Sequence, residues 1–388
     1  MKIGFLSQMA VREFQDYFPN ENLPEGYPSE IFVPLVRNYL ECGHEVVLCT
    51  LDLKSPVSKT FKNKNLTIFV AGTLVKAKLR AVTGFRREIN EMVRFLKANP
   101  CDIYHAHWTY EFAMAALEVD PEKTLITIHD WPEEIYKILH DYYRKRRLHL
   151  SKKVFDKGKY FTTVSPYIEN FFTKTYAGKS ITIIPNYIKF NQSDLKYKKE
   201  LSLDSPVIVS ISTFDDRKNT KKLMEAFQKI REAIPGATLR LFGGGHGVDE
   251  DGYIWAKRNN LTDGIEFIGA IPHDEIMAEL KKSDLLIHPS LEESFGLTLI
   301  EAMACKTPVI GGKDSGAVPW VLSYGKAGRL VDVTDTDSIA NNAIDILTHF
   351  EVWNSYIEAG IIRVHDFEFE TISDAYLNEY KDIISKFD

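Results

Sequence analysis

Short apolar runs alternate with helix-like segments along this chain, and this alternation restricts the fold more than any other feature of the sequence. Strand-length runs that are mostly apolar include Lys2–Leu6, Thr124–Ile128 and Val207–Ile211. Strands that are apolar on both faces and separated by helices are typical of a parallel sheet covered on both sides. The sequence therefore predicts an α/β fold with Rossmann-like, doubly wound parallel sheets.

The length of 388 residues predicts two domains, because single hydrophobic cores stop growing at roughly 250–300 residues. A polar, charged stretch at 189–204 separates two series of alternating strands and helices. We therefore expect an N-terminal domain at 1–188, a linker at 189–204 and a second domain at 205–366. The final segment, 367–388, contains a helix with one apolar stripe.

Composition excludes several classes of protein. The net charge of −6 argues against a dedicated nucleic-acid binder. The sequence has no run of 18 apolar residues that would span a bilayer, and its first apolar run is too short for a signal peptide. The four cysteines are scattered and are expected to be reduced core thiols. These features favour a globular cytoplasmic protein.

A helix is predicted to begin near Gly296, directly after a predicted strand that ends at His288 and a Pro-Ser turn. The core stripe of this helix is expected to consist of Leu297, Ile300 and Ala304. The backbone N–H groups from Phe295 to Thr298 would be unpaired donors at the helix N-terminus, where the helix dipole favours an anion. This segment therefore predicts a phosphate-binding site, which we call the phosphate seat.

Two glutamates, Glu293 and Glu301, flank this phosphate seat and are separated by seven residues. Glu293 precedes the helix, and Glu301 lies about a turn and a half into it. Carboxylates accept strong, orienting hydrogen bonds from sugar hydroxyls, so the pair predicts a site for a nucleotide diphosphate that carries a sugar. The alternative for an isolated pair of acids is that both side chains are solvated.

Polar residues also follow two predicted strands of the first half. His105 and His107 end one strand, and His129 and Asp130 follow the next. The carboxyl ends of strands face the ligand crevice in open α/β sheets. His105 and His107 are expected to be satisfied structural residues. Without an accompanying cluster of acidic or cysteine ligands, we expect no metal site.

The segment from Glu293 to Glu301, together with its flanks, resembles the E-x7-E motif of retaining glycosyltransferases of the GT-B fold, family 4 (glycosyl transferases group 1). The resemblance extends over nearly the whole chain, and it includes these further segments: Gly43–Val46, His105–His107, Thr127–Asp130, Ile184–Asn186, Lys218, Gly243–Gly245, Phe267–Gly269 and Pro308–Ile310. It implies two Rossmann-like domains facing a central cleft, with acceptor binding in the first domain and donor binding in the second. The C-terminal helix is implied to cross back to the first domain.

The resemblance implies transfer of a sugar from a nucleotide diphosphate sugar, most often a UDP- or GDP-sugar, to an acceptor hydroxyl with retention of configuration. No permanently bound cofactor and no metal are implied. The acceptor would be a carbohydrate, a lipid-linked molecule or a small molecule. Three alternatives remain open: a GT-B phosphorylase, a nucleotide-sugar epimerase and an inactive nucleotide-sugar-binding subunit.

The resemblance also implies roles for individual residues. Glu301 matches the acid that binds ribose hydroxyls, and Glu293 the acid that binds the transferred sugar. The implied catalytic residues are His129, Lys218 and Glu293. The implied donor-binding residues are Thr213, Arg217, Lys218, Gly243, Gly245, Gly269, Ile271, Glu293, Phe295, Gly296, Leu297, Thr298 and Glu301. The acceptor-side candidates are Gly26, His107 and Asp130.

Two positions depart from the family pattern. Thr213 stands where the family usually has an arginine, and the side chain of the nearby Arg217 is expected to point elsewhere on a regular backbone. Gly26 stands alone where relatives often have a glycine pair. The Gly243–Gly245 turn is compatible with either a bare strand-to-helix turn or a close approach to the nucleotide.

Two basic clusters, Lys76–Arg87 and Arg144–Arg147, lie in the first half. The simpler interpretation is that these residues form solvated helix faces without a binding function. The alternative is docking on anionic lipid, which would place the protein peripherally at the inner face of a membrane.

Overall fold

The computed structural model describes residues 1–190 and 199–387. The chain divides into two compact units. The first unit comprises Met1–Ile184 and the C-terminal segment Ser373–Asp388, and the second comprises Pro185–Ile372. Residues 191–198 of the predicted linker lie outside the described residues. Lys199, also in that predicted linker, is packed into the second unit, where its ammonium donates to Thr307 Oγ1 at 2.6 Å.

The first unit contains an eight-stranded sheet. Its strands are β1 (Lys2–Leu6), β2 (Glu45–Asp52), β3 (Lys59–Lys62), β4 (Leu66–Gly72), β5 (Ile103–His107), β6 (Thr124–Ile128), β7 (Tyr160–Thr163) and β8 (Ile181–Ile183). The spatial order is β3-β4-β2-β1-β5-β6-β7-β8, and every pairing is parallel except that of β3 with β4. The chain reverses direction across the sheet between β1 and β5, which is the switch point where open α/β sheets bind ligands.

The helices of the first unit cover this sheet. They are α1 (Val33–Glu41), α2 (Ala77–Val82), α3 (Arg86–Ala98), α4 (Glu111–Val119), α5 (Pro132–Ile138), α6 (Tyr142–Lys157) and α7 (Pro166–Thr175). Helices α2 and α3 are separate. The break contains Gly84 and Phe85, both with positive φ, and a right-handed helix cannot continue through that conformation.

The segment between β1 and α1 contains a 3-10 helix at Val11–Tyr17. Gly26 is buried beside this helix with φ +75°, and a Cβ there would lie 2.5 Å from Val11 Cγ2. Close packing therefore accounts for the glycine.

The second unit contains a six-stranded parallel sheet. Its strands are β9 (Val207–Ile211), β10 (Thr238–Phe242), β11 (Ile265–Gly269), β12 (Leu285–His288), β13 (Val309–Gly312) and β14 (Arg329–Val331). The order β11-β10-β9-β12-β13-β14 reverses direction between β9 and β12. The predicted α/β architecture with two doubly wound sheets is confirmed.

The helices of the second unit are α8 (Thr220–Ala233), α9 (Asp251–Arg258), α10 (His273–Lys282), α11 (Leu297–Ala304), α12 (Val318–Val321), α13 (Thr336–Thr348) and α14 (Phe350–Val364). The last helix, α15 (Phe369–Ile384), contributes its residues from Ser373 onward to the first unit. The predicted stripe of α11 was partly wrong. Leu297 is only partly buried, whereas Leu299 is fully buried with Ile300.

None of the four cysteines, all of which lie in the described part of the chain, forms a disulfide. Cys49, Cys101 and Cys305 are buried, as expected for core thiols, but Cys42 is exposed. Cys42 directly follows α1 in the turn to β2, where the chain runs over the surface.

Candidate functional site

Two loops at the switch point of the six-stranded sheet carry the functional residues predicted for the second half. The loop between β9 and α8 contains Lys218, and the loop between β12 and α11 contains Glu293. Because β9 and β12 are adjacent parallel strands, both loops leave the same edge of the sheet. The backbone N–H of Leu291 donates to the carbonyl of Arg217 at 2.8 Å and joins the two loops directly.

The Glu293 carboxylate is the centre of this site. Its side chain is only 9% exposed, and its Oε1 accepts a hydrogen bond from the Lys218 ammonium. The same oxygen lies 3.0 Å from His288 Nε2, and His288 Nδ1 lies 3.3 Å from Thr298 Oγ1. A continuous polar chain thus runs from the first loop to the first turn of α11. The alternative of a solvated Glu293 is wrong.

Neighbouring charges control the ionisation of Glu293. Burial alone raises the pKa of this carboxyl, because the charged form loses its hydration. The Lys218 ammonium, the His288 hydrogen bond and the Arg217 guanidinium outweigh burial and hold the pKa well below its ordinary value of 4.5. Glu293 is therefore a carboxylate at neutral pH, and its oxygens accept hydrogen bonds.

The Arg217 side chain lies beside Lys218, so the prediction that it points elsewhere is wrong. Its Nη1 is 3.7 Å from Glu292 Oε2 and 3.9 Å from Glu293 Oε2. The prediction assumed a regular backbone, but the loop turns sharply. The N–H of Lys218 donates to the carbonyl of Asp215 at 3.1 Å, and Asn219 has a left-handed φ of +54°. Two cations therefore face two buried carboxylates, those of Glu292 and Glu293.

The backbone at Glu293 is held by a glycine on a third loop. The N–H of Ala317 donates to the Glu293 carbonyl at 2.8 Å. Gly316 has φ +61°, and a Cβ there would lie 2.3 Å from the same carbonyl oxygen. Only glycine permits this approach without displacing the loop that carries Glu293.

The N-terminus of α11 has the free donors that the sequence predicted. Gly296, with φ +93°, precedes the helix. Within the described residues, the backbone N–H groups of 295–298 form no backbone hydrogen bond. The Phe295 ring packs against Phe367 at 5.3 Å between centroids, so only the backbone of Phe295 is available at this helix end.

Glu301 lies on α11 with a side chain 14% exposed, and its Oε1 is 2.8 Å from His273 Nε2. His273 begins α10 and is largely exposed. The sequence reading assigned no role to His273 and treated His288 only as a strand end. His288 lies at the carboxyl end of β12, and this position could have identified it as a functional residue from the sequence. Nothing in the sequence around His273 indicated a functional role.

The remaining predicted donor positions lie in loops that follow β9, β10 and β11. The exposed Thr213 donates its hydroxyl to Asp215 Oδ2 at 2.7 Å. Gly243 and Gly245 have positive φ, and a Cβ on Gly243 would lie 2.2 Å from the Ser212 carbonyl oxygen. The turn itself therefore requires these glycines.

Gly269, at the end of β11, also has positive φ, and its carbonyl accepts from the Gly243 N–H at 2.8 Å. Ile271 follows in the connection to α10 and is partly buried. These two positions lie beside the glycine turn, and no structural observation assigns them a ligand.

Three histidines pack against one another in the first unit, at the ends of β5 and β6. His105 is fully buried between Tyr380 OH, at 2.5 Å from its Nδ1, and Thr127 Oγ1, at 2.7 Å from its Nε2. His107 Nδ1 lies 2.9 Å from His129 Nε2. Burial lowers the pKa of His129 to about 3 and holds the pKa of His105 and His107 well below the ordinary value.

Asp130, next to His129, accepts a hydrogen bond from the Tyr110 hydroxyl at 2.8 Å. His129, His107 and Asp130 are therefore brought together at one strand edge, whereas Gly26 serves the packing of the preceding 3-10 helix. Across the described residues, no three histidine, cysteine or acidic side chains form a group that could hold a metal ion.

Two family models match the sequence. Glycosyltransferase Family 4 matches residues 33–192, and Glycosyl transferases group 1 matches residues 191–362. The two matches are consecutive and together cover most of the chain. The chain therefore belongs to the group 1, family 4 glycosyltransferases, as the sequence motifs predicted.

Among curated proteins, N-acetyl-alpha-D-glucosaminyl L-malate synthase of Bacillus anthracis is 31% identical over 200 residues, which are 51% of this chain and 51% of that protein. The match thus spans about half the length of this curated relative. Sucrose-phosphate synthase from Thermosynechococcus elongatus has a similar structure, with a TM-score of 0.79 at 20% identity over 100% of both chains. Anabaena HepE in complex with UDP and glucose gives a TM-score of 0.67 at 17% identity over 98% of this chain and 100% of HepE. The shared architecture confirms the predicted GT-B fold.

Proposed function

We propose that this protein is a retaining glycosyltransferase that moves a sugar from a nucleotide diphosphate sugar to an acceptor hydroxyl. The observation that carries the proposal is the ionised Glu293, held by Lys218 and His288 beside the free N–H groups of α11. A carboxylate for sugar hydroxyls and an electropositive seat for a diphosphate lie in the same two loops.

Lys218 is placed to stabilise the leaving diphosphate. An ammonium has three N–H donors, and within the described residues one of them is used by the Glu293 side chain. The remaining donors, together with Arg217 and the N-terminus of α11, would bind the diphosphate as its negative charge grows. Such preorganised electrostatic stabilisation is the largest single contribution to many enzymatic rate enhancements.

Retention requires the acceptor to attack from the face that the diphosphate leaves, or else a covalent intermediate on the opposite face. Glu293 is already bound by a cation and a histidine, and an oxygen held in this way is a poor nucleophile. We therefore propose front-face departure of the diphosphate through an oxocarbenium-like state. In this mechanism Glu293 orients the transferred sugar and Glu301 binds the ribose.

The donor is proposed to be a UDP- or GDP-sugar. HepE, which shares this fold, was solved with UDP and glucose. The Bacillus anthracis relative is named for an acceptor that is a small molecule, L-malate. Thermal-shift screening with UDP, GDP and ADP would identify the base, because a ligand at 100 times its Kd stabilises the folded protein by about 2.7 kcal/mol.

Replacing Lys218 tests the proposed mechanism. Lys218→Met should lower kcat by a factor of about 10²–10³, the usual effect of removing one group that stabilises a developing anion. Lys221→Met is the matched control, because Lys221 lies three residues away and pairs with the exposed Asp216. Product formation from UDP- and GDP-sugars is measured by mass spectrometry. Equal rates for Lys218→Met and the wild type would contradict the assigned site, and nucleotide binding without any turnover would favour an inactive subunit.

We also propose a peripheral membrane contact through α2 and the start of α6. Val75, Leu79, Val82 and Tyr142 are between 49% and 60% exposed, and they lie among the basic residues of both clusters. Apolar side chains surrounded by lysine and arginine are typical of surfaces that bind anionic bilayers. None of the described helices is long and apolar enough to cross a membrane.

A Leu79→Ser/Val82→Ser variant should bind vesicles of phosphatidylglycerol and phosphatidylcholine more weakly than the wild type in a sedimentation assay. Each fully buried leucine or valine side chain contributes about 1.5–3 kcal/mol to such binding. Vesicles of phosphatidylcholine alone serve as the control for the electrostatic contribution. Equal sedimentation of the variant and the wild type would contradict this contact.

A further inference from the structure

A cavity on the first unit is lined by basic side chains that the proposed mechanism does not use. It lies between α6, the start of α3 and the end of α4, and its volume is about 270 Å³. One water molecule needs only about 10–15 Å³ of such space, so this cavity has room for a polyatomic ion. We call it the basic cavity, and its ionisable lining residues are Arg86, Glu118, Arg146, His149, Lys153 and Lys157.

One face of α6 supplies most of this lining. Arg146, His149, Lys153 and Lys157 follow one another at intervals of three or four residues, so their side chains leave the helix on the same side. Like charges four residues apart, such as those of Lys153 and Lys157, destabilise a helix slightly. The stability of α6 therefore does not account for this arrangement of cations.

The acids around the basic cavity leave its cations in excess. Among the described residues, Glu118 is the one acid in the lining, and its Oε1 lies 2.6 Å from Arg86 Nη1. Glu111, also on α4, is paired with Arg147 at 3.4 Å, and neither residue lines the cavity. Counted with neutral histidine, the lining carries a net charge of +3.

Two lysines of the basic cavity have no counter-ion. Lys153 and Lys157 are exposed, and in the part of the chain that the structure describes neither ammonium forms an ion pair or a hydrogen bond. Asp156, the one acid within α6, is not paired with them. Lys152 lies next to Lys153 but outside the cavity, and it pairs with Glu133 at 3.3 Å. Each unpaired ammonium has three N–H donors available to an anion in the cavity.

Arg146 is positioned by the backbone rather than by an acid. Its Nε donates to the carbonyl of Ala81 at 3.2 Å. Gly84 has φ +62°, and a Cβ there would lie 2.8 Å from Arg146 Nη2, so a larger residue would displace the guanidinium. Within residues 1–190 and 199–387, the two terminal nitrogens of Arg146 have no acceptor. They present a planar array of N–H donors of the kind that binds phosphate oxygens.

Buried apolar side chains also line the basic cavity. Met114 and Leu150 are 3% and 9% exposed. Charges of one sign in a concave site with apolar walls focus the electrostatic field and raise the local concentration of anions. A solvated helix face without a binding function does not require such a concave, partly apolar lining.

We infer that the basic cavity binds a phosphate group, and that this group belongs to the headgroup of an anionic lipid. Thr83 lines the cavity, and Val82, directly before it, is 60% exposed and belongs to the proposed membrane contact. A phosphomonoester carries a charge of about −1.5 to −2 at pH 7 and three terminal oxygens, which suits a lining of net charge +3 better than a diester does. The phosphate site does not depend on the proposed transfer reaction, whereas the lipid source rests on the proposed membrane contact.

Isothermal titration of the full chain with inorganic phosphate tests the basic cavity without lipid. Lys153→Met/Lys157→Met should weaken one phosphate site about tenfold to a hundredfold, the usual effect of losing hydrogen bonds between charged groups. Lys152→Met is the matched control, because Lys152 is an exposed cation of the same helix outside the cavity. Equal phosphate binding by the double variant and the wild type would overturn the inference.

The stability of the double variant separates a ligand site from a structural role. Because both lysines are exposed and unpaired among the described residues, Lys153→Met/Lys157→Met should be at least as stable as the wild type in urea without phosphate. Lys153→Arg/Lys157→Arg, which keeps both charges, should retain phosphate binding. A double methionine variant that is less stable than the wild type would indicate a structural role and overturn the inference.

Vesicles distinguish a lipid headgroup from a soluble phosphate ester. At equal surface potential, the wild type should bind phosphatidylcholine vesicles containing phosphatidic acid about tenfold more tightly than those containing phosphatidylglycerol, and inorganic phosphate should compete. Lys153→Met/Lys157→Met should lose this preference. Leu79→Ser/Val82→Ser should weaken binding to both kinds of vesicle and leave the titration with phosphate unchanged. Phosphate binding without a preference for phosphatidic acid would overturn the lipid source and assign the cavity to a soluble phosphate ester.

Discussion

At the level of single residues, the environment of Glu293 explains how a short sequence motif becomes a specific site. The carboxylate is nearly excluded from water and is stabilised by Lys218, His288 and Arg217. Removing one partner of a buried ion pair typically costs about 3–5 kcal/mol, because the other charge stays buried. The charge of Glu293 is therefore a condition for the stability of this loop as well as for its proposed role.

The stability of the second unit should depend on pH through Glu293. The folded-state pKa is below the ordinary value of 4.5, so between the two values the unfolded chain binds more protons. The free energy of unfolding should therefore fall as pH decreases below about 4.5, by up to about 1.4 kcal/mol per pH unit from this group. The substitution Glu293→Gln should remove this contribution to the pH dependence of the free energy of unfolding.

The test compares urea unfolding of Glu293→Gln and the wild type at several values between pH 3 and pH 7. The difference in the free energy of unfolding between the two proteins should be largest at pH 7 and shrink in acid. A constant difference across this range would show that Glu293 has an ordinary pKa.

Sequence reasoning identified the acids and Lys218 but not the full geometry around them. The spacing of Glu293 and Glu301, with the helix start between them, was readable because it depends on local backbone structure. The position of Arg217 was not readable, because it depends on the turn at Asp215 and the left-handed Asn219. The direction of a side chain cannot be inferred from regular backbone geometry when the residue lies in such a turn.

At the level of secondary structure, three histidines pack together at the ends of β5 and β6, where His105 and His107 are fully buried. Burial holds the pKa of all three histidines below 6.5, to about 3 for His129. Each therefore stays neutral in the folded unit, while the unfolded chain gains protons below about pH 6.5. The free energy of unfolding should fall with decreasing pH across this window, down to about pH 3.

We expect a loss of up to about 4 kcal/mol for the first unit between pH 6.5 and pH 5.5, since each of the three neutral histidines contributes about 1.4 kcal/mol per pH unit. Trp108 contacts His129 at 4.6 Å between ring centroids. Three other tryptophans lie in the second unit, so the part of the fluorescence change in urea that Trp108→Phe removes is the part that reports on the first unit. His129→Asn should reduce the dependence by about one third. Identical unfolding free energies at pH 6.5 and pH 5.5 would refute this prediction.

The elements that sequence reasoning located best were the buried parallel strands, because continuous apolar runs mark them directly. It missed β3, whose sequence Lys-Thr-Phe-Lys exposes three of its four side chains, and it missed α13 and α14. The separation of α2 from α3 depends on the positive φ values at Gly84 and Phe85. Edge strands depend on tertiary packing more than on their own pattern. Helices α13 and α14, with 13 and 15 residues, are of ordinary length, and the apolar periodicity of α13 was an available signal.

At the level of the whole molecule, the chain contains two units, each with its own sheet and hydrophobic core. The proposed nucleotide site lies within the second unit. The alternation of strands and helices predicts parallel sheets, but it does not determine the order of the strands in either sheet. The boundary at Ile184 and Pro185 was predicted only to within a few residues, because the composition changes gradually there.

Ligands should therefore stabilise the units separately. In scanning calorimetry, UDP or GDP should raise the Tm of the transition that belongs to the second unit and leave that of the first unit unchanged. Trp108 lies in the first unit, so the fluorescence change that Trp108→Phe removes identifies the first transition. A nucleotide that shifted only this first transition would contradict the proposed site.

The C-terminal segment that belongs to the first unit has a consequence for synthesis on the ribosome. Tyr376 and Tyr380 are buried in that unit, and Tyr380 supplies the partner of His105. The ribosome must translate the 185–372 segment before it reaches these tyrosines, which takes on the order of ten to forty seconds at bacterial and eukaryotic elongation rates. During that interval the first unit is incomplete although most of its chain has emerged, whereas the second unit can already fold. The unit that is translated first is thus the unit that completes its folding last. A nascent chain stalled before Ser373 would expose His105 and its neighbouring histidines to chaperones.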